Sequence, residues 1–320
     1  MRWFFSLGII IVLAVASWFI PHYDWLNAYY QLLLMTIGIN IILTLSLNLV
    51  NGYMGEFSVG HAGFMSIGAY VASVFSMHLL PDSLFFFSTL AGGLAAAVAG
   101  VLVAFLSFKS RGDYLAILTL AFLMIVKSVI ENIQSIGGAR GLAGIDSLTT
   151  MPWVLFWLLI TFFLIRNLVY SRFGRNILAI REDELAAKLM GVNTRQAKIL
   201  AFSISAFFTG IAGGLYAHLL QFINPAMFGL AKSTDMLVMV YLGGAGSLSG
   251  SIIGGTVYTI LLEILRPFAA WRMVIMPLIL ILLMIFRPSG IMGKKEFSWF
   301  RPRDKVFLGD KTAKEAVVKT

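Results

Sequence analysis

The sequence predicts an all-α fold, a polytopic transmembrane helical bundle of about 8–10 membrane segments, some of them glycine-broken or re-entrant. Three observations predict it. Of the 320 residues, 59% are hydrophobic and 12% charged, with a mean hydropathy of +0.89; an average soluble domain carries about 25% charge. Apolar runs close to the length a bilayer core asks of a helix, about 20 residues, recur along the chain. The cations gather in a few short stretches between those runs and after the last one, the asymmetry expected of membrane topology.

The first run, residues 3–20, follows Arg2 and reaches Pro21 without a small-residue cleavage pattern, so it reads as a retained span rather than a cleaved signal peptide. Further runs cover residues 28–50, 64–80, 84–108, 114–130, 153–170 and 199–220, and two more apolar regions, 236–265 and 273–286, complete the set. Applied to the first six spans, the positive-inside rule puts the N-terminus in the cytoplasm. Lys109 and Arg111 then lie inside and the arginine-poor loops at Pro21 and Pro81 outside. Residues 171–198 carry Arg172, Arg175, Arg181, Lys188, Arg195 and Lys198 and fall inside, as does the basic stretch after Phe286. The expected division is a transmembrane domain over residues 1–293 and a basic cytoplasmic tail over residues 294–320. An odd number of apolar regions separates the basic loop from that tail, so one of them must not cross simply. Residues 236–265, interrupted by Gly243, Gly244, Gly246, Ser247, Ser249 and Gly250, have the composition of a helix that breaks or re-enters.

A second interrupted stretch, residues 52–68, contains Gly52, Gly55, Ser58, Gly60 and His61. Glycine-broken segments in two halves of a membrane chain point to a translocation path. Its candidates are these five residues with Gly243, Gly244, Gly246, Ser247 and Gly250. The competing reading is close helix packing through small residues. For His61, a hydrogen-bonded packing histidine competes with a titrating pore gate.

Several chemistries are excluded. Cysteine is absent, so no disulfide or thiolate chemistry is expected, and the four histidines form no HExxH or Cys/His cluster that would hold a metal. No GxSxG or nucleophile–base arrangement suggests an enzyme. The net charge of +9 is explained by topology rather than by nucleic acid, since the cations are not interleaved with exposed aromatics. No GxxxxGK[ST] phosphate cradle occurs; at Gly293-Lys294-Lys295 a lysine replaces the required hydroxyl, so no cofactor or bound ATP is expected in this chain. Among carboxylates near the membrane, Lys127 and Glu131 read as an i,i+4 pair and Glu263 lies near the end of an apolar region. Glu56, in the interrupted stretch, is the one that would suit an ion-coupled carrier.

Residues 171–193 are too polar to span. Ile177, Ile180, Leu185 and Leu189 make a narrow apolar stripe, Ala186 and Ala187 are small, and Gly191 ends the pattern. A short helix that fits a protein groove is the expectation. A helix lying on lipid would not carry Glu182, Asp183 and Glu184 in its middle.

The motifs now combine. Gly52-x-x-Gly55-x-x-Ser58-x-Gly60-His61-Ala62-x-Phe64 leads to Gly68-Ala69-Tyr70; Arg111-Gly112-Asp113-Tyr114-x-Ala116-Ile117-x-Thr119-Leu120 and Gly137-Gly138-x-x-Gly141-Leu142 follow. Ser171-Arg172-x-Gly174-Arg175, Ala179-Ile180-Arg181-Glu182-Asp183 and Ala186-Ala187-x-x-x-Gly191 lie in the basic loop. Leu242-Gly243-Gly244-x-Gly246-Ser247-x-x-Gly250-x-x-x-Gly254 and Phe286-Arg287-Pro288-x-Gly290 come later. With these the chain resembles the permease subunits of branched-chain amino-acid ABC importers, of the larger of two permease types, although Ile136 stands where that family often has threonine.

The resemblance implies a multi-pass protein of the bacterial cytoplasmic (inner) membrane, with both termini cytoplasmic. Its implied partners are the lipid bilayer, a second related permease, two cytoplasmic ATP-binding subunits and an extracytoplasmic substrate-binding protein. It also implies that Arg181, Glu182, Asp183, Glu184, Ala186, Ala187 and Gly191 form a coupling loop seated on an ATPase, with Glu184, Ala187 and Gly191 docking and Arg181 making a charged contact. The implied cargo is leucine, isoleucine or valine; urea, short amides and other amino acids stay open, as does an ion-coupled secondary carrier.

Overall fold

In hydrocarbon every backbone N–H and C=O must be bonded within its own segment, so long apolar runs become helices. The computed structural model describes residues 27–78, 84–107, 113–286, 289–293 and 296–297. Helix α1, Ala28–Asn48, continues as a π-helical turn, Leu49–Met54. After it come α2, His61–His78, α3, Phe85–Ser107, α4, Asp113–Asn132, and α5, Met151–Val169. Helices α6, Arg172–Glu182, and α7, Glu184–Leu189, form the polar loop and lead into α8, Thr194–Leu220. The last three are α9, Leu230–Gly243, α10, Leu248–Ile264, and α11, Ala269–Phe286. Two-residue strands β1, Leu142–Ala143, and β2, Phe222–Ile223, pair antiparallel. Among the described residues five helical stretches are long and apolar enough to cross a membrane: Ala28–Met54, Phe85–Leu106, Tyr114–Asn132, Met151–Val169 and Thr194–Leu220. The chain is an all-α polytopic membrane protein. The first expected span, residues 3–20, lies outside the described residues, as do Pro21, Pro81, Lys109, Arg111, Gly112, Arg287 and most of the basic tail.

The centre is built by α2, α3 and α8. α2 and α8 run in the same direction, paired from His61 with Ser205 to Ser76 with His218. α3 runs against both, from Phe85 beside His218 to Phe105 beneath Arg195. Hydrophobic exclusion gives helices no reason to associate in lipid, so close packing of small residues does it. Glycines supply the contact: a methyl group at Gly68 would fall on the carbonyl of Gly210, and one at Gly100 would stand 2.6 Å from the Ala206 Cβ.

The region expected to be one interrupted helix, residues 236–265, holds most of a helical hairpin, the greater part of α9, the turn and α10. α9 and α10 lie antiparallel, Asp235 bonded to Tyr258 and Gly243 packed against Gly250 and Gly254. The turn uses Gly244 at φ +123 and Gly246 at φ +83, conformations costly for any residue with a Cβ. Ser247 Oγ then accepts from the Gly250 N–H at 2.9 Å and caps α10. Because the hairpin goes and returns, four helices, α8 to α11, lie between the polar loop and residues 289–293. α10 also lies antiparallel to α1: Asn40 bonds Thr259 at 2.8 Å and Asn48 bonds Ser251 at 2.7 Å.

Candidate functional site

The polar loop is two helices, not the single one expected, and Asp183 is the reason. Its backbone is extended, φ −160 and ψ 113, and its Oδ1 accepts from the N–H groups of Leu185 at 2.8 Å and Ala186 at 3.0 Å. It is therefore the N-cap of α7. The break divides the apolar stripe. Ile177 and Ile180 on α6 are buried in the chain, whereas Leu185 and Leu189 on α7 are 59% and 82% exposed, joined by Met190 at 85%. Ala187, expected at a docking surface, is buried within the chain, while Glu182 and Ala186 are exposed. Gly191 closes the helix at φ +83, with open space where a side chain would project.

Arg181 and Lys198 face inward. A methyl group at Gly246 would stand 2.6 Å from Arg181 Nη1, and one at Gly55 2.8 Å from Arg181 Cγ. Thus the residue expected to reach a partner packs on both glycine turns of its own chain. Lys198, its side chain 4% exposed, is ion-paired to Glu56 and holds Glu184 at 3.0 Å. Burial pushes the Glu56 carboxyl up; the Lys198 ammonium opposes this and Glu184 adds to it. Glu56 therefore already holds a cation. The Lys127–Glu131 pair, 3.8 Å apart, is the simple i,i+4 couple expected.

The two interrupted stretches meet. Gly52, in the π turn, packs so closely on the Gly246 backbone that a side chain would overlap it. Between them stands Asn48, a residue the sequence reading passed over. Its amide donates to Ser247 O at 2.9 Å and to Ser251 Oγ, and its Oδ1 accepts from the Gly246 N–H at 2.8 Å. Two asparagines in the apolar run of α1, Asn40 and Asn48, were the available signal, since buried amides in membrane helices need partners. Glu296, expected in the tail, was missed too. Its carboxylate accepts from the backbone of Leu248 and Ser249, from Ser249 Oγ at 2.7 Å and from Tyr53 Oη at 3.1 Å. Gly244 packs against Ser289 and Gly293; Gly244, Gly246 and Ser247 form the turn between α9 and α10, and Gly243 and Gly250 pack on each other at its base.

Ser58, Gly60 and His61 sit apart, deeper in the bundle. Ser205, which bonds His61, lies eleven residues into α8, about 16 Å along its axis. His61 Nδ1 meets Ser58 Oγ at 3.1 Å and Nε2 meets Ser205 Oγ at 2.7 Å, and that serine donates to Ser46 O at 2.6 Å. A methyl group at Gly60 would overlap the Thr119 carbonyl. His61, the first residue of α2, is thus buried with both ring nitrogens hydrogen-bonded. Glu263 belongs elsewhere, with Tyr29 and Arg266 at the opposite end. Among the described residues no group of three or more His, Asp and Glu is placed to hold a metal ion.

Long apolar helices, a hairpin of shorter helices of 14 and 17 residues and glycine turns seated on a partly exposed helical corner define a polytopic integral membrane protein. Over residues 29–286 the sequence matches the family described as the branched-chain amino acid transport system permease component, and the chain belongs to that family. It is 33% identical over 290 residues to the high-affinity branched-chain amino acid transport system permease protein LivM of Escherichia coli (strain K12), covering 79% of this chain and 68% of that protein. To LivM of Salmonella typhimurium it is 32% identical over 314 residues, 87% of this chain and 72% of the relative. LivH of Escherichia coli (strain K12), a permease protein of the same named system, is 33% identical over 156 residues, 47% of this chain and 50% of LivH. No solved structure matches.

Proposed function

We propose that this chain is the membrane-spanning permease subunit of an ATP-driven importer of branched-chain amino acids. It works with a second, related permease, two ATP-binding subunits and an extracytoplasmic binding protein, and it binds no nucleotide itself. The observation that carries this is the corner of α7, where Leu185, Leu189 and Met190 stand exposed beside a capped, sharply ended helix. Apolar side chains on a polar loop outside the apolar spans are groups a partner's groove would cover. Similarity to both LivM and LivH supports a paired permease. The cations of residues 171–198 support a cytoplasmic position for this end of the bundle in the bacterial inner membrane.

In this reading the turns at Gly52–Gly55 and Gly243–Gly250 border the cytoplasmic end of the translocation path, and Ser58, Gly60 and His61 its middle. The engagement of Glu56 by Lys198 speaks against an ion-coupled carrier, which needs a free carboxylate in the membrane.

The test is reconstitution with the partner subunits. Leu189→Asp with Met190→Asp is expected to release the ATPase and to lower ATP-dependent uptake about a hundredfold, a hot-spot loss of some 2–3 kcal/mol, with membrane insertion retained. Gly191→Arg is expected to abolish uptake in the same way. Uptake driven by a proton or sodium gradient without nucleotide would overturn the reading.

A further inference from the structure

Two side chains of the 171–198 segment close on one turn of the chain between α1 and α2. Gly55, left-handed at φ +77, ends the π turn against Arg181 of α6. Its neighbour Glu56 is paired with Lys198 of α8, whose ammonium also holds Glu184 of α7 at 3.0 Å. The Glu184 side chain is 41% exposed and that of Lys198 4%, so the triad leads from the surface of α7 inward to Glu56. From Glu56 the backbone runs without helix to His61, and it has little slack. Ser58 N donates to Asn51 Oδ1 at 3.2 Å, Val59 N donates to Thr119 Oγ1 at 3.0 Å, and Ser58 Oγ meets His61. A short segment tied at Glu56, whose N–H donates to Val50 O at 3.2 Å, and again at Ser58 and Val59 passes a displacement on rather than absorbing it.

We propose that the Gly55–Glu56 turn transmits movement of the 171–198 segment to the buried start of α2, with Arg181 and Lys198 as positioning residues; this rests on the reading of α7 as the ATPase seat. Docking and transmission then reside in different side chains. Leu189 and Met190 stand exposed, whereas Arg181 and Lys198 pack inward on their own chain.

The experiment uses the full complex, purified with its ATPase and second permease and reconstituted in vesicles, with hydrolysis and amino-acid uptake measured together. In Lys198→Met the ATPase is expected to copurify as before and to hydrolyse ATP normally, while uptake per ATP hydrolysed falls about tenfold, the size of a typical coupling between two sites. Lys198→Arg, which keeps both carboxylate partners, is expected to restore most of that ratio, a result that a merely space-filling role for Lys198 would not give. Glu184→Gln, at a half-exposed position, is expected to lower the ratio about threefold and stands in should Lys198→Met fail to accumulate. An unchanged ratio in the informative variant overturns the proposal. So does loss of the ATPase from it, because the residue would then belong to the docking surface. The Leu189→Asp, Met190→Asp chain judges the docking reading separately: retention of the ATPase there sinks that reading and leaves the Lys198 ratio to be judged alone.

Discussion

Tyr70 and His61 share α2 and respond to truncation in opposite ways. The Tyr70 hydroxyl is buried with no hydrogen-bond partner among the described residues, so deleting it strands nothing. Tyr70→Phe is expected to leave thermal stability in detergent within about 0.5 kcal/mol or to raise it. His61 bonds Ser58 and Ser205, and His61→Leu leaves the Ser58 hydroxyl unpaired in the interior at a cost of about 1–3 kcal/mol. Equal melting temperatures for the two variants would contradict this account of His61. Gly68 shows the steric side of the same helix. Gly68→Val forces a side chain onto the Gly210 carbonyl and is expected to cost at least the roughly 1–3 kcal/mol of an overpacked core, seen as a lowered melting temperature or failed accumulation.

At the scale of the element, two short helices depend on their caps. α7 has six residues, too few to persist by propensity alone, and Asp183 supplies its first two hydrogen bonds. Asp183→Ala is expected to cost about 1 kcal/mol locally and to speed amide exchange across residues 184–189 while the spans keep their protection; Asp183→Asn should restore it. For α10 the capping charge comes from Glu296. Its carboxylate on the backbone of Leu248 and Ser249 adds the attraction of an anion for a helix N-terminus, about 0.3–2 kcal/mol. Glu296→Ala is expected to accelerate exchange at those two amides, and unaltered exchange would show that the contact contributes nothing in solution.

For the whole molecule, the charge triad links fold to pH. Burial holds the Glu56 carboxyl above its ordinary 4.5. Between that value and the raised one the folded chain keeps a proton that the unfolded chain has released. By linkage, stability falls as pH rises through this window, so acidification does not unfold the site. It removes the charge that Lys198 grips while Glu184 and Arg181 remain around it. Uptake per ATP hydrolysed is therefore expected to decline as pH falls from neutrality toward 4.5, ahead of any fall in melting temperature. A simultaneous fall in both would assign the effect to general acid unfolding.

The class of fold was legible because hydrophobicity is a property of composition and run length, and both survive reading in one dimension. The glycine turns were legible as interruptions, and the 171–198 segment stood out as polar between spans. What stayed hidden depends on pairing across distance. Nothing local to Asn48 or Glu296 names Gly246 or Ser249 as a partner, and Arg181 reads as a surface cation until the turns it packs on are in place. The stripe from Ile177 to Leu189 looked continuous because periodicity ignores Asp183, whose cap divides it into a buried part and an exposed one. The sequence by itself determined that these helices lie in a membrane, since only intrahelical bonding satisfies an apolar chain there. Tertiary structure alone decided that residues 236–265 belong to a hairpin and that Glu56 serves an ion pair, because both rest on contacts between residues far apart in the chain.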